Sequence, residues 1–436
     1  MIVGFDTAAR AWSERPGPGV VELPPLRGRL SFGEAELAAA ARDFGNRVHR
    51  RPGAVLRPGE SADVAAIVRF GRQTGLPVVP RGAGHAADGQ AQTRGGIVVD
   101  LTALTAVHAL GADRLTVDAG ARWSTVVNAA LRIGLVPPVL PDYLELTVGG
   151  LLSAGGLGGA SHRHGAAADQ VMELEVVTPE GELTTCSADL RSGLFDAVRG
   201  TQGEHGIITR ATLTLVPAPH SGRRYLLTHR ELGPFLADQL RLMADRRFDH
   251  AIGQARHTDA DGWTYTIDAL AAYDPPGAPD DTALLAGLGH VEVQAQDLTY
   301  REFLYRVAPF EAHLRDLGSW QDHPHPRCNV LLPGRHAEAI IADTLADITA
   351  DDLGLGGSVL LYPAPTRLLR APAMPATADP VTWLFGLQRT APPKDPEAVD
   401  RMVRANDVLR ATVRRLGGAD YTYPTAYHRS LHRAAG

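Results

Sequence analysis

Apolar residues return at intervals of three and four through Ser61-Ala62-Asp63-Val64-Ala65-Ala66-Ile67-Val68, which predicts a helix capped by Ser61. A second helix is predicted over Ser124–Ile133, with Gly134 as its stop. Around these helices the spacing changes to two. Strands are predicted at 78–80, 97–101 and 115–118. Glu173-Leu174-Glu175-Val176-Val177 alternates and Pro179-Glu180-Gly181 turns the chain, so Met172–Cys186 reads as a hairpin. Gly206–Val216 alternates again, setting Ile208, Ala211, Leu213 and Leu215 against Thr209, Thr212 and Thr214. Residues 14–30, with Pro16, Pro18, Pro24 and Pro25, read as an extended leader.

Pro217-Ala218-Pro219 breaks this pattern and predicts a domain boundary. Beyond it, helical spacing near 231–245, 336–350 and 396–416 is interleaved with strand spacing at 264–272, 358–362 and 382–388. That mixture predicts an α+β layer, an antiparallel sheet covered by helices. The expected organisation is a first domain over 1–217, a second over 218–424, and a short C-terminal return over 425–436.

Composition narrows the class without naming the chemistry. With 436 residues the chain is long enough for two cores, and 44% hydrophobic against 21% charged residues is ordinary for a globular protein. The net charge of −6 and the lack of a dense basic stretch exclude a nucleic-acid partner. The arginines of Arg401–Arg415 are spaced as the solvated face of one helix. The two cysteines, Cys186 and Cys328, form neither a disulfide framework nor a C-x-x-C pair. Met1–Ser13 has no signal-peptide pattern and no apolar run is long enough to span a membrane, so a cytoplasmic protein without membrane partners is expected. Ala, Arg, Gly and Pro richness with few lysines suggests a bacterial source. His162 with His164, and His323 with His325, are read as structural or solvated, and no metal is expected.

The chemistry concentrates in two glycine-rich strings. Pro80-Arg81-Gly82-Ala83-Gly84-His85-Ala86-Ala87-Asp88-Gly89-Gln90 lies between two strand signals. A turn of this kind exposes backbone N–H groups to a phosphate or diphosphate, and an imidazole inside it suggests a cofactor held covalently. A P-loop would need a lysine where Gln90 stands, and a Rossmann turn lacks its third glycine here. A tight loop with a solvated histidine is the plain alternative. The second string, Pro141-Asp142-Tyr143-Leu144-Glu145-Leu146-Thr147-Val148-Gly149-Gly150-Leu151-Leu152-Ser153-Ala154-Gly155-Gly156, lets backbone pass close to a ligand and offers the Thr147 and Ser153 hydroxyls. A glycine-rich packing turn, with Asp142 exposed after Pro141, is the alternative.

The first string resembles the flavin-attachment segment of the vanillyl-alcohol-oxidase, or PCMH-type, FAD-binding fold, and most of all the R-G-x-G-H-S-x-x-G-Q of the cytokinin dehydrogenases. Here Ala86 replaces the serine. The second string is similar to that family's D-Y-L-x-L-T-V-G-G-x-L-S-x-A-G. Further similar segments follow in order: Asp43–Asn46, Pro52–Pro58, Ser161–Gly165, Thr299–Val307 and His325–Pro333. The resemblance implies an α+β, two-domain PCMH-type fold, with an FAD-binding domain over 1–217 and an α+β substrate domain over 218–424 built on an antiparallel sheet.

It implies FAD bound covalently to His85 through the flavin 8α carbon. Gly82, Ala83, Gly84, Ala86, Gln90, Asp142, Thr147, Ser153, Leu157 and Ile208 would contact the cofactor, and Gly203-x-x-Gly206 would approach its adenine or ribose end. No cysteine lies near Thr147, so one covalent link at most is expected. Asp142 would take the substrate proton, with burial raising its pKa from about 4 toward the working range. The partners would be a small-molecule substrate and dioxygen or another electron acceptor. Oligomeric state is not legible.

Three departures bear on the substrate. Arg327 replaces the tryptophan of the family's H-P-W-L-N string while Asn329 remains, which suits a polar or anionic substrate. Ile252 stands where the F-D-Y-V-E-G string has its acid. The family's closing segment near S-P-G-Q has no counterpart after the tyrosine cluster Tyr421, Tyr423 and Tyr427, which would leave one side of the flavin less covered or covered by another subunit. The expected function is an FAD-dependent oxidoreductase that moves hydride from a C–H bond next to nitrogen or oxygen, acting on a bacterial specialised metabolite. The alternatives are a cytokinin dehydrogenase cleaving N6-isoprenoid adenines and a redox-inactive flavin-binding scaffold.

Overall fold

A computed structural model describes residues 2–421 apart from Asp259 and Asp261. The chain forms two compact units. The first comprises residues 1–126, 145–153 and 171–214, and the second comprises 127–144, 154–170 and 215–436. The division therefore does not fall at a single point near 217: two stretches from the first half of the chain belong to the later unit.

In the first unit, a four-stranded sheet runs in the order Arg29–Ser31, Ala54–Arg57, Ile97–Asp100, Val78–Arg81. The last three strands are parallel. Their near-continuous apolar runs fit burial on both faces. The helix Ser61–Thr74 lays Val64, Ile67, Val68 and Phe70 against Ala54, Leu56, Ile97 and Val99. Gly75 ends it at φ 67°. Ser61 is not its cap. The Ser61 hydroxyl donates to Glu175 at 2.6 Å, while Asp63 accepts the backbone N–H groups of Arg27, Gly28 and Gly59. An antiparallel five-stranded sheet contains the expected hairpin, Val171–Val177 with Leu183–Ser187, and the long strand Ile207–Thr214. The supposed leader is partly structured: Val20–Glu22 pairs with Gly4–Asp6.

The second unit is built on an eight-stranded antiparallel sheet. Its order is Glu292–Thr299, Ser221–His229, Gly262–Tyr273, His250–Thr258, Ser358–Pro365, Val381–Gln388, Cys328–Pro333, Ala419–Asp420. Alternation along the strands gives the two faces different tasks. Tyr225, Ile267, Ala255, Val330 and Phe385 point to one face. There they pack under the helices Leu232–Asp245, Gly334–Ala346 and Pro396–Arg415 through Phe235, Ile341 and Val413. The opposite face carries a smaller apolar cluster of Ile252, Leu331, Tyr362 and Leu384. By strand register, Arg224, His250, Asp268 and Asn329 share that second face. No helix among the described residues is long and apolar enough to cross a membrane.

Candidate functional site

The glycine-rich loop leaves the strand Val78–Arg81 and returns into Ile97–Asp100. Gly84 and Gly89 take φ of 71° and 82°, a region that favours glycine. The loop is fastened to residues 43–46: Phe44 N–H donates to Gly84 O at 2.8 Å, and Gly89 N–H donates to the Asp43 carboxylate at 2.6 Å. Burial pushes Asp43 up to about 6, against the Gly89 N–H and Arg81, which favour its charged form. The His85 ring stacks on Phe44, with centroids 4.3 Å apart. Gln90 accepts the Asp88 N–H at 3.0 Å and so shapes the turn. Thr147 meets this loop: a Cβ on Gly82 would lie 2.1 Å from the Thr147 hydroxyl. Ser153 lies on the helix Val148–Ala154 that begins after Thr147, and Ile208 is buried in the strand Ile207–Thr214.

The loop fits an anionic dinucleotide. Arg81 has a buried Nη1 without a hydrogen-bond partner among the described residues, and its guanidinium lies where a side chain on Gly84 would stand. A diphosphate supplies the kind of acceptor such a nitrogen lacks.

In the second unit, Asp142 stands at one corner of a compact ionic cluster. Arg306 Nη2 donates to Asp142 Oδ1 at 2.6 Å, and His250 Nε2 lies 3.2 Å from the same oxygen. Arg306 Nη2 and His250 Nε2 are 3.1 Å apart, closing a triangle. Arg306 Nε continues to Asp268 at 3.1 Å, and Arg224 grips Asp268 with two bonds of 2.8 and 2.9 Å. Charges thus alternate along the row Asp142, Arg306, Asp268, Arg224. Local chemistry fixes each member. Pro141 precedes Asp142, His250 opens its strand, and Arg306 follows the helix Tyr300–Leu304, which a Thr299–Glu302 capping box starts. The Arg306 guanidinium also lies 4.1 Å from the Phe303 ring centre. Gly159 backs the imidazole so closely that a Cβ there would come 2.1 Å from His250 Nε2.

Asp142, His250 and Arg306 line a small cleft walled by Pro137, Pro138, Leu140 and Leu304. The sequence predicts that burial raises the Asp142 pKa; the cluster reverses this. Burial pushes the carboxyl up, but the Arg306 charge and then His250 outweigh it and hold Asp142 well below the usual carboxylate range. Asp268 is also held low, by Arg306 and Arg224 against its burial. Burial and the nearby Asp249 charge push Tyr300 up to about 12.

The remaining predicted residues of this unit take up specific positions. Asn329 accepts from the Gln388 amide at 2.9 Å. Burial lowers Arg327 to about 10, opposed by Tyr143. The Tyr143 hydroxyl in turn donates to Glu311 at 3.0 Å. Leu157 packs beside Tyr421, whose hydroxyl accepts the Gly156 and Leu157 N–H groups at 3.0 and 3.1 Å. Tyr423, Tyr427 and the expected return over 425–436 lie outside the described residues. His162 faces two backbone carbonyls, of Gly159 and Phe248, and burial lowers it to about 4. Sequence reasoning missed His250, Arg306 and Asp268. The first two stand inside strings that already drew notice, Phe248–Gly253 and Thr299–Val307.

Residues 52–187 match the family described as FAD binding domain, and residues 260–428 match the family described as Cytokinin dehydrogenase 1, FAD and cytokinin binding. The chain is 41% identical over 391 residues to an uncharacterized oxidoreductase of the fasciation locus of Rhodococcoides fascians, covering 89% of this chain and 88% of the relative. It is 35% identical over 418 residues to cytokinin dehydrogenase 4 of Oryza sativa subsp. japonica, with 86% and 78% covered. Among solved structures, 6-hydroxy-D-nicotine oxidase from Arthrobacter nicotinovorans superposes with a TM-score of 0.67 at 24% identity, with 88% and 86% covered. Chitooligosaccharide oxidase gives 0.71 at 16% identity, with 92% and 89% covered, and these two likenesses speak for the two-domain PCMH-type fold. The fold, the paired domain matches and the extent of the identity agree: this chain is an FAD-dependent oxidoreductase and belongs to the cytokinin dehydrogenase family.

Proposed function

We propose that the chain oxidises a small bacterial metabolite at a C–H bond next to nitrogen or oxygen, with FAD joined to His85 and with dioxygen or another acceptor taking the electrons onward. FAD, when bound, supplies the two-electron acceptance that no side chain can. Gly82, Ala83, Gly84, Ala86 and Gln90 would hold it, together with Thr147, Ser153, Leu157 and Ile208. Arg81 joins them because of its buried nitrogen. Phe44, stacked on His85, orients the imidazole for attachment.

One observation carries the reading: the Asp142 carboxylate, paired with Arg306 and beside His250, lines a cleft walled by Pro137, Pro138, Leu140 and Leu304. Loss of hydride leaves positive charge on the substrate carbon, and a fixed anion beside it lowers that barrier. Arg327 and Asn329 would recognise the polar part of the substrate. Cytokinin oxidation is the second reading, supported by the names of curated relatives.

The purified enzyme is expected to be yellow and to keep its flavin through acid precipitation, and His85→Ala is expected to release that flavin. A colourless protein, or acid-stable flavin in His85→Ala, would refute the attachment. Anaerobic addition of candidate amines, alcohols and N6-isopentenyladenine should bleach the flavin band for a true substrate. If none bleaches it, the redox-inactive scaffold becomes the better reading.

A further inference from the structure

We propose that His250 is a second catalytic residue: the proton leaving the substrate is received by the Asp142–His250 pair and comes to rest on the imidazole, while Arg306 acts as a positioning residue that keeps Asp142 an anion. The inference rests on the oxidoreductase reading above and assigns that site its proton acceptor.

The triangle sets the argument. Asp142 Oδ1 already faces two nitrogens, Arg306 Nη2 at 2.6 Å and His250 Nε2 at 3.2 Å. A proton placed on this carboxyl would neutralise the charge facing Arg306, whose side chain is only 6% exposed, and leave Asp268 as its one remaining carboxylate partner. Guanidinium does not give up a proton in this setting. The imidazole is the member of the triangle that can take up a proton as a neutral group; imidazolium would pair with Asp142 and face the Arg306 cation at 3.1 Å, so Asp142 must stay an anion between the two. Its Nδ1 is buried without a hydrogen-bond partner among the described residues, so no structural bond there fixes the ring in one tautomer. The ring lines the cleft beside Asp142.

The groups around it are few. Asp142 comes from the Pro141 loop and Arg306 from the end of Tyr300–Leu304. Asp268 lies on the neighbouring strand, Asp249 precedes His250 in sequence, and His162 lies on the short helix Ser161–His164. Phe303 meets the imidazole edge-on at 5.0 Å, and Tyr300 lines the same cleft.

The step balances. The substrate C–H bond breaks and its electron pair leaves with the hydrogen as hydride, accepted by FAD. The neighbouring N–H or O–H bond breaks, and its electron pair becomes the new C=N or C=O π bond. The freed proton converts imidazole to imidazolium beside the Asp142 carboxylate.

The test uses the flavin-loaded, full-length enzyme with N6-isopentenyladenine as probe. His250→Gln keeps an N–H toward Asp142 but cannot carry the proton. It should slow anaerobic flavin bleaching by ~100-fold with KM within a few fold. His250→Ala should regain part of that rate on addition of imidazole. Bleaching within threefold of wild type in His250→Gln, or no recovery with imidazole, overturns the proposal.

A second readout needs no substrate. Carbon-13 NMR of the Asp142 carboxyl and nitrogen-15 NMR of His250 follow the cluster as pH falls. Asp142 should stay ionised through neutral pH, and Arg306→Gln should bring its protonation to higher pH. An Asp142 carboxyl that is protonated at neutral pH in the wild type overturns the proposal even if the probe proves not to be a substrate. Absorbance and flavin content, measured first, report separately on the oxidoreductase reading.

Discussion

The two faces of the eight-stranded sheet are made by the same strands and follow opposite rules. On the helix-covered face, Tyr225, Ile267, Val330 and Phe385 are almost fully buried in an apolar core. At the alternate strand positions, Arg224, Asp268, His250 and Asn329 set charged and polar groups on the opposite face beside the smaller apolar cluster of Ile252, Leu331, Tyr362 and Leu384. The first face stabilises by removing apolar area from water, ~1.5–3 kcal/mol for each large side chain. The second keeps its charged groups only because each has a partner at hydrogen-bond distance. Strand period alone therefore separates the part of the unit that sustains the fold from the part that can perform chemistry.

That separation can be broken by substitution. Phe385→Ala, on the helix face, should cost ~3–5 kcal/mol in a denaturant midpoint series. The fraction that remains folded should bleach its flavin at the normal rate; a specific loss of bleaching would erase the distinction between the faces. Arg306→Gln, which faces the other side of the sheet through Asp268, should cost ~3 kcal/mol, because it leaves Asp268 and Asp142 with fewer partners. Unlike the phenylalanine change, it should alter the pH profile of flavin reduction as well.

Acid should act through the charged face. Asp142 and Asp268 are both held below the usual carboxylate range when folded, so the unfolded chain binds more protons. Their contribution is present at neutral pH and is lost as pH falls below about 4 toward their folded values. Unfolding midpoints measured from pH 7 to pH 3 should fall steeply at the acid end. Arg306→Gln should move the onset to higher pH.

Gly159→Ala forces a methyl group against the His250 ring. About 1–3 kcal/mol of stability should be lost, and flavin bleaching should slow through displacement of the imidazole. The smallest change expected is Asn329→Ala, which removes its bond with Gln388 and should cost ~1 kcal/mol.

The parts of the fold legible in the sequence are those with a clean apolar period. The helix Ser61–Thr74 and the hairpin of Val171–Val177 with Leu183–Ser187 fall where the spacing predicts them. The strands Ser221–His229, His250–Thr258 and Glu292–Thr299 were not predicted, for physical reasons. The first two carry charged or ring nitrogens on one face, and the third is an edge strand exposed along nearly its whole length. His85 and Asp142 were legible because each sits in a distinctive local string. Their working partners were not. His250 lies 108 residues from Asp142, and Arg306 lies 164 residues from it. Only the folded sheet brings them within reach, and no local pattern encodes that approach.

Synthesis of the chain gives this separation a time. Asp142 leaves the ribosome inside residues 127–144, a stretch that belongs to the later unit. At ~5–20 residues per second, the 164 residues to Arg306 take on the order of ten seconds or more to appear. Through that interval the nascent segment lacks its cation, while the strands Ser221–His229, His250–Thr258, Gly262–Tyr273 and Glu292–Thr299 are made in turn. Pro137, Pro138 and Pro141 beside Asp142 limit the wrong conformations it can adopt while waiting.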